Sequence, residues 1–158
     1  MVYSKQINNP TGTVMLRHKE HTYLAGPIEG LTKEQATKWR LDADFELGSS
    51  GICTLDPTRR VSFVDSNHLT STNAARRIWK ADLQDIAYST VVLANLSDSL
   101  PGKKWGTVCE IAHAHTKNKI IIVLMDKDQF EHPFITQYAT EVHHTLENAI
   151  EAVKEYYL

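Results

Sequence analysis

The chain has only two cysteines, Cys53 and Cys109, in 158 residues. Two do not make a disulfide framework. Both have apolar sequence neighbours, so buried free thiols are expected, which suits a reducing cytoplasm. Long apolar runs are also missing: the longest, near Ile120–Met125, is far too short to span a bilayer. Residues 1–20 are mostly polar and carry no apolar stretch of the kind that marks a secretory signal. They are expected to form an irregular leader with a turn cluster at Asn8-Asn9-Pro10-Thr11-Gly12, ahead of a single domain over residues 21–158. Without an export signal, the sequon Asn95-Leu96-Ser97 means little. A surplus of one charge is absent too. The net charge of −2 gives no reason to expect a nucleic acid or an anionic membrane as partner. Internal repeats and low-complexity tracts are not found.

What is present fits one ordinary soluble domain, long enough to bury a real core. Strand-like and helix-like segments alternate. Thr22–Ala25 is a short apolar strand ending at Gly26-Pro27. Thr32, with Gln35 three residues on, is the expected cap of a helix running to about Leu47, before Gly48. A second strand, Gly51–Leu55, closes at Asp56-Pro57, and residues 56–71 form a long polar loop, a candidate functional segment. Ser71 or Thr72 caps a helix from about Asn73 to Ala87. Thr90–Leu96 is a third strand and Ile120–Met125 a fourth. Both are continuously apolar, as strands buried on both faces should be. Thr140–His144 is a short fifth strand, and Leu146–Tyr156 a closing amphipathic helix. This order predicts an α/β protein: a flavodoxin-like or Rossmann-like, doubly wound, five-stranded parallel sheet in three α/β/α layers. Ligands of such sheets lie beyond the carboxyl ends of the strands.

That rule brings together the loops after Ala25, Leu55 and Leu96, with Asp82 and Glu110 on helices beside them. Gly106-Thr107-Val108-Cys109-Glu110-Ile111 resembles a glycine turn opening a helix, with Glu110 in its first turn. A carboxylate there has a bland explanation, since it favours the helix dipole. Beside a strand-end cleft it also suits attack on a sugar carbon. Asp82 falls on the inward face Ala75, Ile78, Trp79, Asp82, Leu83 and Ile86, where a carboxylate must meet a partner or a ligand. A raised pKa there would suit proton delivery to a leaving group. Asp85 is a weaker candidate for which a surface or capping role serves as well. Tyr23 either packs in the core or orients the nucleophile. Asn95 contacts ligand or caps a turn. Eight histidines invite a metal, but His113/His115 and His143-His144 point to different faces, and Glu110/His113 has no companion pair. No metal and no cofactor are expected. Trp39, Trp79 and Trp105 are core or interface residues by default, with Trp105, next to Gly106, the one placed to act as a lid.

Taken together, these segments resemble the nucleoside 2-deoxyribosyltransferase family over roughly residues 22–157. The resemblance rests on Tyr23-Leu24-Ala25-Gly26-Pro27-Ile28-Glu29-Gly30, Trp39-Arg40 and Gly51-Ile52 through Asp56-Pro57-Thr58-Arg59-Arg60. It continues through Lys80-Ala81-Asp82 with Asp85, Val91–Leu96, Gly106–Ile111, Glu131-His132-Pro133-Phe134-Ile135 and Leu146-Glu147-Asn148-Ala149-Ile150. It implies exchange of the base of a 2'-deoxynucleoside for a free nucleobase through a covalent deoxyribosyl-enzyme. Glu110 would be the nucleophile, Asp82 the residue at the base edge, and Tyr23 the aromatic of the first strand. Gly26, Pro27, Glu29, Asp85, Asn95, Lys104 and Gly106 would be substrate-binding. The resemblance also implies a homo-oligomer with sites near subunit interfaces, to which the tail Tyr156-Tyr157-Leu158 would contribute. One departure stands out. The family carries an aspartate six residues before the nucleophile, and here that position is Lys104. In related nucleotide hydrolases, the first loop resembles a serine and arginine phosphate grip. Pro27 and Glu29 stand there in this chain, which favours nucleosides, whereas Lys103 and Lys104 pull toward a phosphate. Hydrolysis of deoxynucleosides or their 5'-monophosphates is the alternative chemistry, and a non-catalytic nucleotide-binding module a further one.

Overall fold

The computed structural model describes residues 20–63, 72–129 and 132–157. The expected leader over residues 1–19, the second half of the 56–71 loop with Ser71, and the positions Glu131 and Leu158 lie outside the described residues. Five strands, β1 (His21–Ala25), β2 (Cys53–Leu55), β3 (Val91–Asn95), β4 (Ile120–Leu124) and β5 (Glu141–His143), form one sheet in the order β2-β1-β3-β4-β5. Every pairing is parallel, with Tyr23 opposite both Leu55 and Val92, and Asn95 opposite Leu124. Helices α1 (Lys33–Ser49), α2 (Thr72–Tyr88), α3 (Trp105–Thr116), α4 (Pro133–Tyr138) and α5 (Leu146–Glu155) complete the domain. This is the expected doubly wound, three-layer α/β/α architecture.

Alternation along the strands divides the core in two. Leu24, Val91, Leu93, Ile122 and Leu124 pack on one face with Trp39, Ala43 and Leu47 of α1 and Ala149, Ile150 and Val153 of α5. Tyr23, Ala25, Val92, Ala94, Ile121 and Val123 pack on the other with Ile86 of α2, Ile111 and Ala114 of α3, and Ile135 of α4. Burial of whole strands on both faces explains why β3 is continuously apolar.

Local sequence sets the element ends. Thr32 caps α1 as expected: Gln35 N donates to Thr32 Oγ1 at 3.2 Å, and Thr32 N donates to Gln35 Oε1 at 2.9 Å. The helix runs through Gly48 rather than stopping before it. The left-handed residue is Gly51, at φ +80°. Around it Ile52 N donates to Leu47 O and Gly51 N to Gly48 O, and Ile52 and Leu47 share a core cluster. That is a helix stop closed by its own hydrophobic contact. Helix α4 was not expected. It is a single short stretch begun by Pro133, with Phe134 N donating to His132 Nδ1 at 3.3 Å.

Other expectations need correction. The buried stripe of α3 is Thr107, Glu110, Ile111 and Ala114, so Cys109 falls off it and is exposed. Cys53, on the outermost strand, is only partly buried. Trp79 is 38% exposed and so does not belong to the inward face of α2, where Asp82 and Ile86 are buried. Helix α3 does not open on a glycine turn. Lys104 is its N-cap, Gly106 lies inside its first turn, and a Cβ at Gly106 would meet nothing within 4 Å. Glu110 therefore sits in the second turn, where the dipole of the helix end acts on it less.

Candidate active site

Strands β1 and β3 are neighbours from which the chain leaves toward opposite faces of the sheet. The crevice beyond Ala25 and Asn95 is thus the topological switch point, the usual ligand position in this architecture. Helix α3 follows β3 and presents Glu110 from its buried stripe on the same face of the sheet as Tyr23. Tyr23 Oη donates to Glu110 Oε1 at 2.6 Å, wholly buried. Among the described residues, Glu110 Oε2 has no hydrogen-bond partner.

Burial dominates the electrostatics of this pair. It pushes the Glu110 carboxyl up to about 8, with the Asp82 charge pushing the same way and the Tyr23 hydrogen bond and Arg40 opposing. Burial, then the charges of Glu110 and Asp82, hold the Tyr23 phenol well above its usual range, so it remains a donor. Asp82, buried on α2, is raised to about 6, chiefly by burial and next by Asp85, against the lowering charges of Arg60, Arg59 and Arg40. Two neighbouring carboxyl groups with raised and separated pKa values are an arrangement able to exchange protons near neutral pH.

Three arginines surround the carboxylates. Only the family resemblance included them in its motifs, and none had been given a role. Arg40 is fully buried. It donates to Leu24 O at 3.3 Å, Ala36 O at 2.5 Å and Gly26 O at 2.8 Å, and pairs with Asp56 at 3.4 Å. Its guanidinium lies over the Trp39 ring at 4.6 Å. The sequence signal was a charge on the inward stripe Ala36, Arg40, Ala43 and Leu47. Asp56 also caps the 3-10 turn Pro57–Arg60, accepting from Thr58 N at 2.8 Å. That turn aims Arg59 and Arg60 at α2. Arg59 Nη2 donates to Asp85 Oδ2 at 2.5 Å, and Arg60 Nη1 donates to Asp85 Oδ2 at 2.6 Å and to Asp82 Oδ1 at 3.2 Å.

The structure thus gathers Tyr23, Glu110, Asp82 and Asp85 around one buried polar cluster. Gly26 and Pro27 are buried at the end of β1. A Cβ at Gly26 would lie 2.7 Å from Trp39 Cζ2 and 3.1 Å from Arg40 Nη2, so the turn needs glycine for close approach. Other candidates lie outside this buried cluster, in the loops after β1 and β3 and at the start of α3. Glu29 pairs with Lys103 at 2.6 Å, Lys104 pairs with Asp98 at 2.6 Å, and Trp105 is 80% exposed. Asn95 Oδ1 accepts from Ser97 N at 3.0 Å, a turn-capping bond. Among the described residues, no group of three or more His, Cys, Asp or Glu side chains is placed to hold a metal, and no helix is long and apolar enough to cross a membrane.

No family model matches the chain, and no curated protein matches it. Solved structures do share its fold. A 2-deoxyribosyltransferase from Bacillus psychrosaccharolyticus superposes with TM-score 0.66 at 17% identity, covering 82% of this chain and 90% of that one. A CMP N-glycosidase from Clostridium botulinum gives TM-score 0.54 at 16% identity over 87% and 99% of the two chains. A molybdenum cofactor binding protein from Rippkaea orientalis gives 0.60 at 17% identity over 89% and 99%. At these identities the likeness establishes the fold, and the choice among activities rests on the site.

Proposed function

We propose that the protein transfers the 2-deoxyribosyl group of a 2'-deoxynucleoside from one nucleobase to another. The observation that carries this reading is the buried Tyr23–Glu110 hydrogen bond at the β1/β3 switch point, with Asp82 close enough for its charge to act on Glu110. Glu110 Oε2 attacks C1' while the C1'–N bond breaks and its electron pair goes to the departing base. Asp82 delivers its proton to that base, and the sugar is left as an ester of Glu110. An incoming base then attacks C1', the ester bond returns its pair to Glu110, and the proton on the attacking nitrogen passes to the Asp82 carboxylate. Tyr23 holds the nucleophile in register and donates to it throughout. A 2-deoxy sugar has no electron-withdrawing 2'-hydroxyl, so its oxocarbenium-like transition state needs little beyond this positioning and proton delivery.

Gly26 and Pro27 offer backbone at the crevice. Lys104 and Glu29 fall at its rim in ion pairs, which favours an uncharged nucleoside over a nucleoside phosphate. Soluble, cytoplasmic, homo-oligomeric operation in nucleoside salvage completes the proposal. The second reading is hydrolysis, favoured by the likeness to the CMP N-glycosidase; it uses the same Glu110 and Asp82, with water as acceptor.

The test is chromatographic. Deoxyinosine or thymidine is mixed with excess adenine or cytosine, beside a Glu110→Ala control. A new deoxynucleoside that disappears in the control supports transfer. Free base without a new nucleoside supports hydrolysis. Silence with deoxynucleosides and with their 5'-monophosphates refutes both and leaves a binding module.

A further inference from the structure

We infer that Arg60 is a positioning residue that holds Asp82 in place for proton exchange, and that Asp85 is the anchor of Arg60. The inference rests on the proton role proposed for Asp82. Its basis is geometric. Asp85 Oδ2 receives both Arg59 and Arg60, so that oxygen is already committed within the protein. The same Arg60 Nη1 reaches Asp82 Oδ1, and among the described residues Asp82 Oδ2 has no partner. One carboxylate oxygen is therefore fixed and the other left for a ligand.

The anchor is itself anchored. Asp56 caps the 3-10 turn that carries Arg60 and pairs with buried Arg40, so the guanidinium is tied through β2 to α1. Asp82 lies against charges from every side: Arg60 and Arg59 from the 3-10 turn, Asp85 from its own helix, Arg40 from α1, Glu110 from α3, and the Tyr23 phenol from β1. Arg60 and Asp85 act on it with opposite signs. Removing the cation must make Asp82 harder to ionise. Removing the Asp85 charge must make it easier, because one repulsion is lost and Arg60 is freed to turn wholly to Asp82. A side chain that merely fills space would not produce opposite shifts.

The experiment is a carboxyl-carbon NMR titration of Asp82 in the full chain without substrate, for the wild type, R60Q, R60K and D85N. It is paired with the pH dependence of kcat/KM for a deoxynucleoside. R60Q is expected to raise the Asp82 midpoint by about 1 pH unit, and D85N to lower it. R60K, which keeps the charge and tests for rescue, should stay nearer the wild type than R60Q. The acidic limb of kcat/KM should follow the same order. An Asp82 midpoint unmoved in R60Q and D85N, or moved in one direction by both, overturns the inference. A wild-type chain that titrates in this pattern but turns over no deoxynucleoside refutes the transferase reading and leaves the Arg60–Asp82 coupling standing.

Discussion

Replacing Tyr23 by Phe removes one oxygen from a fully buried ring and takes with it the donor to Glu110 Oε1 at 2.6 Å. A hydrogen bond to a charged group contributes roughly 1.5–3 kcal/mol, so the Glu110 pKa should climb by about 1–2 units from its value of about 8. The consequence for rate is not a simple loss. In the proposed mechanism the productive form has Glu110 ionised and Asp82 protonated, yet Glu110 at about 8 holds its proton more tightly than Asp82 at about 6. The productive arrangement is therefore the minority form among singly protonated molecules. In Y23F this fraction falls a further 10- to 100-fold, by the same 1–2 units. At the same time the alkaline limb of the bell-shaped kcat/KM profile moves from about 8 toward about 9–10. The profile becomes lower and broader on its alkaline side. Initial rates of base exchange between pH 5 and pH 10 read both effects at once. An alkaline limb that stays in place while the plateau drops would refute the argument, since Tyr23 would then act without touching the ionisation of Glu110.

Glu110→Gln should abolish exchange and change how stability depends on pH. Because the folded pKa of Glu110 is raised from 4.5 to about 8, the folded wild type binds the extra proton in that window and loses stability as pH rises through it, by about 5 kcal/mol if Glu110 titrates alone. The amide cannot ionise, so urea unfolding should show E110Q gaining on the wild type between pH 5 and pH 9; parallel curves would argue against a buried, protonated Glu110. Gly26→Ala places a methyl 2.7 Å from Trp39 Cζ2, and should cost about 1–3 kcal/mol of stability by thermal denaturation, with a drop in exchange rate. Glu29→Gln should leave the melting temperature nearly unchanged, because the Lys103 pair it breaks is exposed. By freeing Lys103 it should raise kcat/KM for a deoxynucleoside 5'-monophosphate relative to the unphosphorylated nucleoside; an unchanged ratio would mean that Glu29 does not face the 5' position.

Much of the fold was legible because it is written in period and punctuation. The continuous apolar runs Val91–Ala94 and Ile120–Leu124 require cover on both faces, and the Thr32/Gln35 box marks a helix start without ambiguity. The misjudged points are those where local chemistry is decided by tertiary neighbours. Gly48 is an ordinary helix residue because the left-handed position falls at Gly51, where Ile52 can fold back on Leu47. Cys109 has apolar neighbours in sequence, but those at helical spacing from Glu110 take the buried stripe. For the candidate site, Asp82 was visible as a polar interruption of an inward face, and Glu110 through its motif. Their arginine partners were not, since Arg59 and Arg60 come from a loop whose direction is set by the Asp56 cap, and a loop has no period to read.

The fold alone does not choose an activity, for it is shared with a deoxyribosyltransferase, an N-glycosidase and a molybdenum cofactor binding protein. The balance of charges supports the proposed reading. Around the switch point Arg40 is matched by Asp56, Arg59 and Arg60 by Asp85 and Asp82, Lys103 by Glu29, and Lys104 by Asp98. A ligand carrying a phosphate would meet cations that each already have a carboxylate partner, and would compete with that carboxylate. A neutral nucleoside enters no such competition. It meets instead the two carboxyl oxygens that have no described partner, Oε2 of Glu110 and Oδ2 of Asp82, one belonging to a group raised to about 8 and the other to a group raised to about 6. One oxygen suits the electrophilic sugar carbon and the other suits the nitrogen that gains or loses a proton. Under the proposed reading, the ligand that matches this pair is a neutral one with an acid-labile carbon–nitrogen bond.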